Sequence, residues 1–513
     1  MAAHNEVNGM PCHANKELND ALRNVFGFDK GLCASDAGDV SSVAAYRVAA
    51  DQLHAGALAL NSGMDQDLEY PGAFALVPDM IKNGLITNDT LDRAVGNVLR
   101  QKFALGLFDN NSTLLYVDPE RQAAVMDAPP HRALALQVAE EGITLLRNNG
   151  ILPLQLSTRN QKHEAHKVKS SSDRVKSVKN IAVIGPNADN AVSLLGLYGE
   201  DNPGGGVVTL LNATMAAANA SGNSFTVTYE RGSCLGGAPG CPCSLASSCH
   251  SSVTEFTCGN VSGLPGWDTQ TVGDYQMPCS VTDTSLISSA ANAAAAADVT
   301  LLVIGDQTTV STDPGFKGQY YREVATVGEH FDRDNLDPPG AQLDLLKAVT
   351  AASDNVIVVL INGRTVTFGA GPGDGYNKLF TDSAAVLAAW RPGEEGGNAL
   401  WNILSGKTNP SGRTAHTWPR TVGQVHQYVP HYLEQRTRPD TQAYADFAPA
   451  TPLVPFGFGL SYSNFTFTKM QLLNQAGQPC DERQSGCAVN HTSDSAFSVN
   501  VTVTNQGTMS GKT

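Results

Sequence analysis

Apolar and polar positions change period along this chain, and the changes mark its elements. Residues 31–34 (Gly-Leu-Cys-Ala) form an unbroken apolar run that predicts a buried strand. The run stops at Ser35-Asp36, and small residues follow as far as Gly38. Residues 1–5 predict an earlier strand, Asn8-Gly9-Met10-Pro11 a turn, and residues 15–26 a helix. Strand, helix and strand in that order form a βαβ unit, which implies a parallel sheet. Residues 44–55 predict a helix. Residues 57–60 predict a short strand that ends at Asn61-Ser62-Gly63-Met64-Asp65. Two helices are expected over 72–83 and 90–105, the second with Leu91, Val95, Val98, Leu99 and Phe103 at helical spacing. A strand that delivers a carboxylate to its C-terminal end is the usual layout of an α/β barrel site. A closed parallel barrel needs about eight βα units. Three strands are visible here, so the chain is expected to open inside a barrel.

Residues 129–148 predict an amphipathic helix that stops at Asn149-Gly150. From residue 180 apolar runs alternate with helical patterns down to about 390. Strands are expected at 180–185, 299–305, 356–362 and 384–390, with a helix at 340–353. The low-complexity alanine run 290–297 falls where a helix is required. This is a doubly wound α/β pattern. Pro-rich connectors fill 421–455. After Asn464 the side chains alternate over 465–468 and again over 497–505, a β-sandwich pattern that Thr513 cuts short.

Composition narrows the class. The chain has 513 residues, 42% hydrophobic and 16% charged, as expected of a core-forming globular protein. Its formal net charge of −15 argues against a nucleic-acid partner. The basic stretch 157–180 therefore reads as a solvated insertion loop. No apolar run reaches the ~18 residues of a membrane span, and the first residues carry no signal-peptide core. Of ten cysteines, Cys234, Cys241, Cys243, Cys249, Cys258 and Cys279 crowd one Gly/Ser/Pro-rich stretch. Disulfides in an oxidising compartment are the favoured reading. Zinc is the alternative, though Cys241-Pro242-Cys243 lacks the usual Cys-x2-Cys spacing. Glycosylation sequons at Asn88, Asn110, Asn111, Asn212, Asn219, Asn260, Asn464, Asn490 and Asn500 agree with secretion. A secreted chain with no leader implies that the leader was lost with a missing N-terminus.

Several carboxylates have bland readings. Asp36 by itself is an ordinary helix N-cap residue. Asp65 and Asp67 read as loop structure, and Glu394 and Glu395 as a helix first turn, where acids suit the dipole. Glu329, with Asp332 and Arg333 close by, reads as an ion-paired surface loop. A nucleotide-binding role would rest on the doubly wound pattern alone, and no Gly-x-Gly-x-x-Gly follows any of its strands.

Taken together, however, the motifs resemble glycoside hydrolase family 3, the β-glucosidase and β-xylosidase group. Gly27-Phe28 with Ser35-Asp36 is similar to the family's nucleophile strand. Gly84-Leu85-Ile86 through Lys102-Phe103-Ala104-Leu105-Gly106-Leu107-Phe108 is similar to its barrel-closing helix. Glu140-Glu141-Gly142-Ile143-Thr144-Leu145-Leu146-Arg147-Asn148 with Leu152-Pro153-Leu154 resembles the entry to its second domain, and Ile181-Ala182-Val183-Ile184-Gly185-Pro186-Asn187-Ala188 that domain's first strand. Gly328-Glu329-His330-Phe331-Asp332-Arg333 resembles the "GE..DR" loop. Pro392-Gly393-Glu394-Glu395-Gly396-Gly397, Asn409-Pro410-Ser411-Gly412-Arg413 and Phe456-Gly457-Phe458-Gly459-Leu460-Ser461-Tyr462 also fit.

The resemblance implies three domains. Residues 1–125 would be the C-terminal part of a (β/α)8 barrel, 126–425 an α/β sandwich, and 426–513 a linker with a truncated fibronectin-III-like domain. It implies an exo-acting retaining β-glycosidase that removes terminal β-linked glucose or xylose from oligosaccharides. Neither a metal nor an organic cofactor is implied. Asp36 would be the nucleophile, with Asp39 as fallback. Glu329 would be the acid/base, with Glu323 as fallback, because the insertion 311–325 loosens the match. A retaining pair should have its carboxyls about 5–5.5 Å apart. The family often has Tyr where His4 stands, so His4 is the expected substrate-side neighbour of the nucleophile, and its charge would vary with pH. The family's other sugar-gripping residues come from earlier strands. The chain alone is therefore expected to be inactive and poorly soluble. The rival reading is a non-catalytic carbohydrate-binding protein derived from the same fold.

Overall fold

The computed structural model describes residues 1–109, 118–157, 177–196, 206–233, 284–308, 326–328, 333–369, 377–424, 452–473 and 498–512. They fall into two units, Met1–Met126 and Asp127–Thr513.

The first unit is mostly helical, and here the expected strands need correction. Residues 1–5 form no strand. The chain instead makes a hairpin of β1 (Glu6–Val7) and β2 (Met10–Pro11). Asn8 and Gly9 both take positive φ (54° and 77°), as a two-residue Asn-Gly turn requires. The run at 31–34 is reduced to one parallel bridge between Ala34 and Gln66, with Ala2 N donating to Ala34 O at 2.8 Å. Residues 57–60 are not a strand but lie inside a helix, Gln52–Ser62. That segment is rich in Ala and Leu and has no β-branched residue, so nothing in it opposes a helix. Asp51 caps its start by accepting from His54 N at 2.9 Å, and Gly63, left-handed at φ 118°, closes it.

In chain order the helices of this unit are α1 (Lys16–Asp20), α2 (Asp39–Ala45), α3 (Gln52–Ser62), α4 (Val77–Lys82), α5 (Asn88–Ala104) and α6 (Pro119–Val125). One π-helical turn, Ala21–Val25, extends α1. Short 3-10 turns at Cys12–Ala14 and Ala73–Leu76 precede α1 and α4. The buried face of α5 is Ala94 and Asn97, whereas Val95, Leu99 and Phe103 of the predicted stripe are exposed.

The second unit is built on a six-stranded sheet. Its strands are β3 (Thr144–Asn148), β4 (Asn180–Ile184), β5 (Thr226–Glu230), β6 (Val299–Gly305), β7 (Val356–Ile361) and β8 (Ala385–Trp390), in the order β3-β8-β7-β6-β4-β5. All neighbours are parallel except β3, which runs antiparallel to β8 at one edge. The helix predicted over 129–148 ends at Gly142 (α7, Pro129–Gly142), because the apolar run beyond it pairs with β8 as β3.

Successive residues of the central strands feed two cores. Val183, Leu301, Val303, Val359 and Leu387 face one side, with α8 (Leu210–Ala220) and a later helix, Gly396–Leu404, packed on them. Ile184, Leu302, Ile304, Val358 and Leu360 face the other, beneath α9 (Ile287–Ala296), α10 (Gln342–Ala352) and α11 (Lys378–Asp382). A sheet covered on both faces needs strands that are almost wholly apolar, and β6, β7 and β8 are, with Thr300 of β6 the one polar residue. The helix Gly396–Leu404 is α12. Beyond the sheet, β9 (Phe465–Leu473) and β10 (Ser498–Asn505) form an antiparallel pair, largely exposed.

Candidate active site

Asp36 stands two residues beyond the Ala34 bridge. Ser35 N donates to Gln66 O at 2.9 Å, which holds the extended segment in place. Ser35 Oγ donates to Asp36 O at 2.8 Å, and Ala37 N donates to Asp36 Oδ1 at 2.8 Å. The chain then turns through Gly38, left-handed at φ 78°, and α2 begins at Asp39. Gly38 is the N-cap, so Asp36 is not spent as a cap. Its side chain is 40% exposed, which leaves the carboxylate reachable.

His4 lies beside it. His4 Nε2 is 3.6 Å from Asp36 Oδ2, and His4 Nδ1 contacts Asp39 Oδ1. Asp39 is buried, and its other oxygen faces His13 Nδ1 at 3.7 Å. His13 is fully buried in the 3-10 turn Cys12–Ala14. His13 and Asp39 face one another without a well-aligned hydrogen bond between them. Burial pushes the Asp39 carboxyl above its ordinary value, against the pull of His4 and His13. Burial likewise pushes His13 below its ordinary value, with Asp39 opposing.

Two further carboxylates of this unit, Asp65 and Asp67, are tied down. Asp65 is buried and accepts from Cys33 N at 2.9 Å, Arg23 Nη2 at 2.6 Å and Asn97 Nδ2 at 3.1 Å. Asp67 accepts from Glu69 N at 3.2 Å and Phe74 N at 3.4 Å, and Ser35 Oγ lies 3.4 Å from it. Both brace the loop after α3.

In the second unit the polar groups gather at the C-terminal ends of the parallel strands. Asp306 follows β6 and is buried. Its Oδ2 accepts from Gly363 N at 3.3 Å, and its backbone oxygen from Asn187 Nδ2 at 3.0 Å and Arg391 Nη1 at 3.2 Å. Desolvation raises the Asp306 carboxyl, with Arg391 opposing. The next residue, Gln307, is clipped to Thr326: Thr326 N donates to Gln307 O at 2.9 Å, and Gln307 N to Thr326 Oγ1 at 3.0 Å. Glu394 and Glu395 hold Arg132 at 3.1 and 2.6 Å, and Glu395 also accepts from Asn398 Nδ2 at 2.6 Å. Thus Glu395 forms the N-cap of α12 and is bound to its neighbours.

The structure therefore brings His4 to Asp36. Glu329 and Glu323 lie outside the described residues, as do the six cysteines from Cys234 to Cys279. Cys12 and Cys33 are free and buried. Sequence reasoning missed His13 as a partner of Asp39. It also missed Asp306, although Asp306 directly follows the apolar run 299–305. Among the described residues no group of three or more His, Cys, Asp or Glu is arranged to hold a metal ion. No described helix is long and apolar enough to cross a membrane.

Comparison with known proteins places these features. Residues 1–101 match the glycosyl hydrolase family 3 N-terminal domain, and residues 143–462 its C-terminal domain. The chain is 28% identical over 524 residues to a periplasmic β-glucosidase of Salmonella typhimurium, which covers all of this chain and 57% of that protein. It is 30% identical over 528 residues to a β-xylosidase of Formosa agariphila, again covering 100% and 57%. The chain thus spans a little over half the length of these relatives. Its fold matches a β-glucosidase structure from Erythrobacter marinus with a TM-score of 0.66 at 29% identity, over 92% of this chain and 53% of that one. Both domain matches fall on one family in the expected order, and the longer covers more than half the chain: the chain belongs to glycosyl hydrolase family 3.

Proposed function

We propose that this chain carries the nucleophile and the acid/base of an exo-acting retaining β-glycosidase, with terminal β-linked glucose or xylose of oligosaccharides as substrate. The observation that carries the reading is Asp36: a reachable carboxylate, oriented by the Ala37 N–H and faced by His4, within the residues that match the family's N-terminal domain. In the first step an Asp36 oxygen attacks the anomeric carbon and the bond to the leaving oxygen breaks. The Glu329 carboxyl gives that oxygen its proton. In the second step Glu329 takes a proton from water, the water oxygen attacks the same carbon, and Asp36 is released. No step needs a cofactor. The relatives' names, β-glucosidase and β-xylosidase, support this substrate class.

The reading extends to architecture and location. Residues 1–125 would belong to a (β/α)8 barrel, 126–425 to an α/β sandwich and 426–513 to a linker and a fibronectin-III-like domain. The six-stranded sheet with helices on both faces supports the second of these. Secretion and glycosylation are supported by the sequons, and by a relative named as periplasmic.

The test is to trap the glycosyl-enzyme. A 2-deoxy-2-fluoro-β-glucosyl or β-xylosyl fluoride is incubated with the protein, which is then digested and mapped by mass spectrometry. A glycosyl adduct on Asp36 is expected, lost in Asp36→Gly. An adduct on Asp39 or on any other carboxylate would overturn the assignment.

A further inference from the structure

Two buried carboxylates of the first unit differ in how they are satisfied. Asp65 takes hydrogen bonds from a backbone amide, a guanidinium and an amide side chain, as a structural carboxylate should. Asp39 is as deeply buried, yet among the described residues no guanidinium or side-chain amide is bonded to it. A desolvated carboxylate without such bonds is costly to keep for stability alone. What Asp39 does face is a pair of imidazoles, with His4 on one oxygen and His13 on the other. His4 in turn bridges two carboxylates, Asp39 through Nδ1 and Asp36 through Nε2.

Resting on the assignment of Asp36 as nucleophile, we infer that Asp39 is a positioning residue: it fixes the His4 imidazole through Nδ1 and so aims Nε2 at Asp36. A carboxylate against Nδ1 places a proton on that nitrogen and orients the ring, the same service that a buried carboxylate performs for a catalytic histidine elsewhere. The charge state of His4 then acts on Asp36. A protonated His4 donates toward both carboxylates and stabilises Asp36 as an anion, both before attack and as the departing group. A neutral His4 with its proton on Nδ1 turns a lone pair toward Asp36 Oδ2. The titratable groups facing this chain of contacts are Asp36, Asp39 and His13, with Asp67 acting on His13. His13 backs Asp39 from the buried side and prevents that carboxylate from turning away from His4.

Histidine ring 15N NMR on the whole chain tests this without requiring turnover. His4 is assigned by loss of its signals in His4→Tyr. The wild-type ring should carry its proton on Nδ1 when neutral, and that preference should be lost or reversed in Asp39→Asn. A neutral His4 protonated on Nε2 in the wild type, or an unchanged tautomer preference in Asp39→Asn, overturns the proposal. The wild-type tautomer decides it even where the variant does not fold. Kinetics on the full-length protein add a second arm. On aryl β-glycosides Asp39→Asn should lower kcat by about tenfold in the His4 background and have little effect in His4→Tyr, since contacting residues couple. An equal loss in both backgrounds marks a merely structural Asp39 and overturns the proposal. If trapping places the adduct elsewhere, the nucleophile assignment fails while the NMR result stands, so the two are separable.

Discussion

Gln342 holds Gly305 by both ends of its amide. Gly305 N donates to Gln342 Oε1 at 2.8 Å, and Gln342 Nε2 donates to Gly305 O at 3.0 Å. Gly305 ends β6 at φ 145°, where a Cβ would lie 1.9 Å from Ile361 O of β7. The strand therefore leaves the sheet by a backbone path open only to glycine, and its stranded amide and carbonyl are satisfied by one buried side chain from the start of α10. Gln342→Leu keeps the volume but orphans both groups. A loss of about 2–3 kcal/mol in urea unfolding is expected. A loss below ~0.5 kcal/mol would show that these groups find other partners.

Asp65 performs the matching service in the first unit. It gathers Arg23, Asn97 and the Cys33 amide, while Arg23 also donates to Gly31 O at 2.5 Å and Gly63 O at 3.1 Å. The segment leading to Asp36 is thereby tied to the C-terminal end of α3. Removing one partner of a buried charged network costs about 3–5 kcal/mol. Asp65→Ala should show a loss of that order, with faster hydrogen exchange at the Cys33 and Ser35 amides. An unchanged exchange rate there would refute the link between Asp65 and the Asp36 segment.

What could be read from the sequence follows from burial. Strands β6, β7 and β8 agree with their predicted spans to within a residue, because a strand covered on both faces must be almost wholly apolar. β5, Thr-Val-Thr-Tyr-Glu, was not predicted: it is an edge strand, half polar and largely exposed, with no apolar run to mark it. The run at 57–60 is as apolar as a strand. Its helical state is written in the flanking caps, Asp51 and Gly63, rather than in its period. The nearness of His4 to Asp36 was legible from motif context. The facing of His13 and Asp39 was not, since it depends on the turn Cys12–Ala14 packing against the start of α2.

The last prediction concerns Asp306 and Arg391, at the ends of β6 and β8. Arg391 Nη1 donates to Ser193 O at 2.5 Å and to Asp306 O at 3.2 Å, and its charge opposes the burial that raises the Asp306 carboxyl. Arg333 and Arg364 act on Asp306 in the same sense, more weakly. Because the folded carboxyl binds its proton more tightly than the unfolded one, the native state holds more protons between the two pKa values. Stability is then fully present below the unfolded value of 3.8 and is lost as pH rises through the raised folded value. Arg391→Met removes the strongest opposing charge, raises the Asp306 carboxyl further and widens that window upward. Its destabilisation should therefore be larger at pH 8 than at pH 5, in urea unfolding at each pH. Adding Asp306→Asn abolishes the titration, so the double variant should show a loss relative to Asp306→Asn alone that is the same at both pH values. That residual is the part due to the lost Ser193 and Asp306 backbone hydrogen bonds, about 1–3 kcal/mol for groups left buried and unpaired. An Arg391→Met loss that does not change with pH would mean that Arg391 serves those carbonyls alone, and that Asp306 is neutralised by other groups.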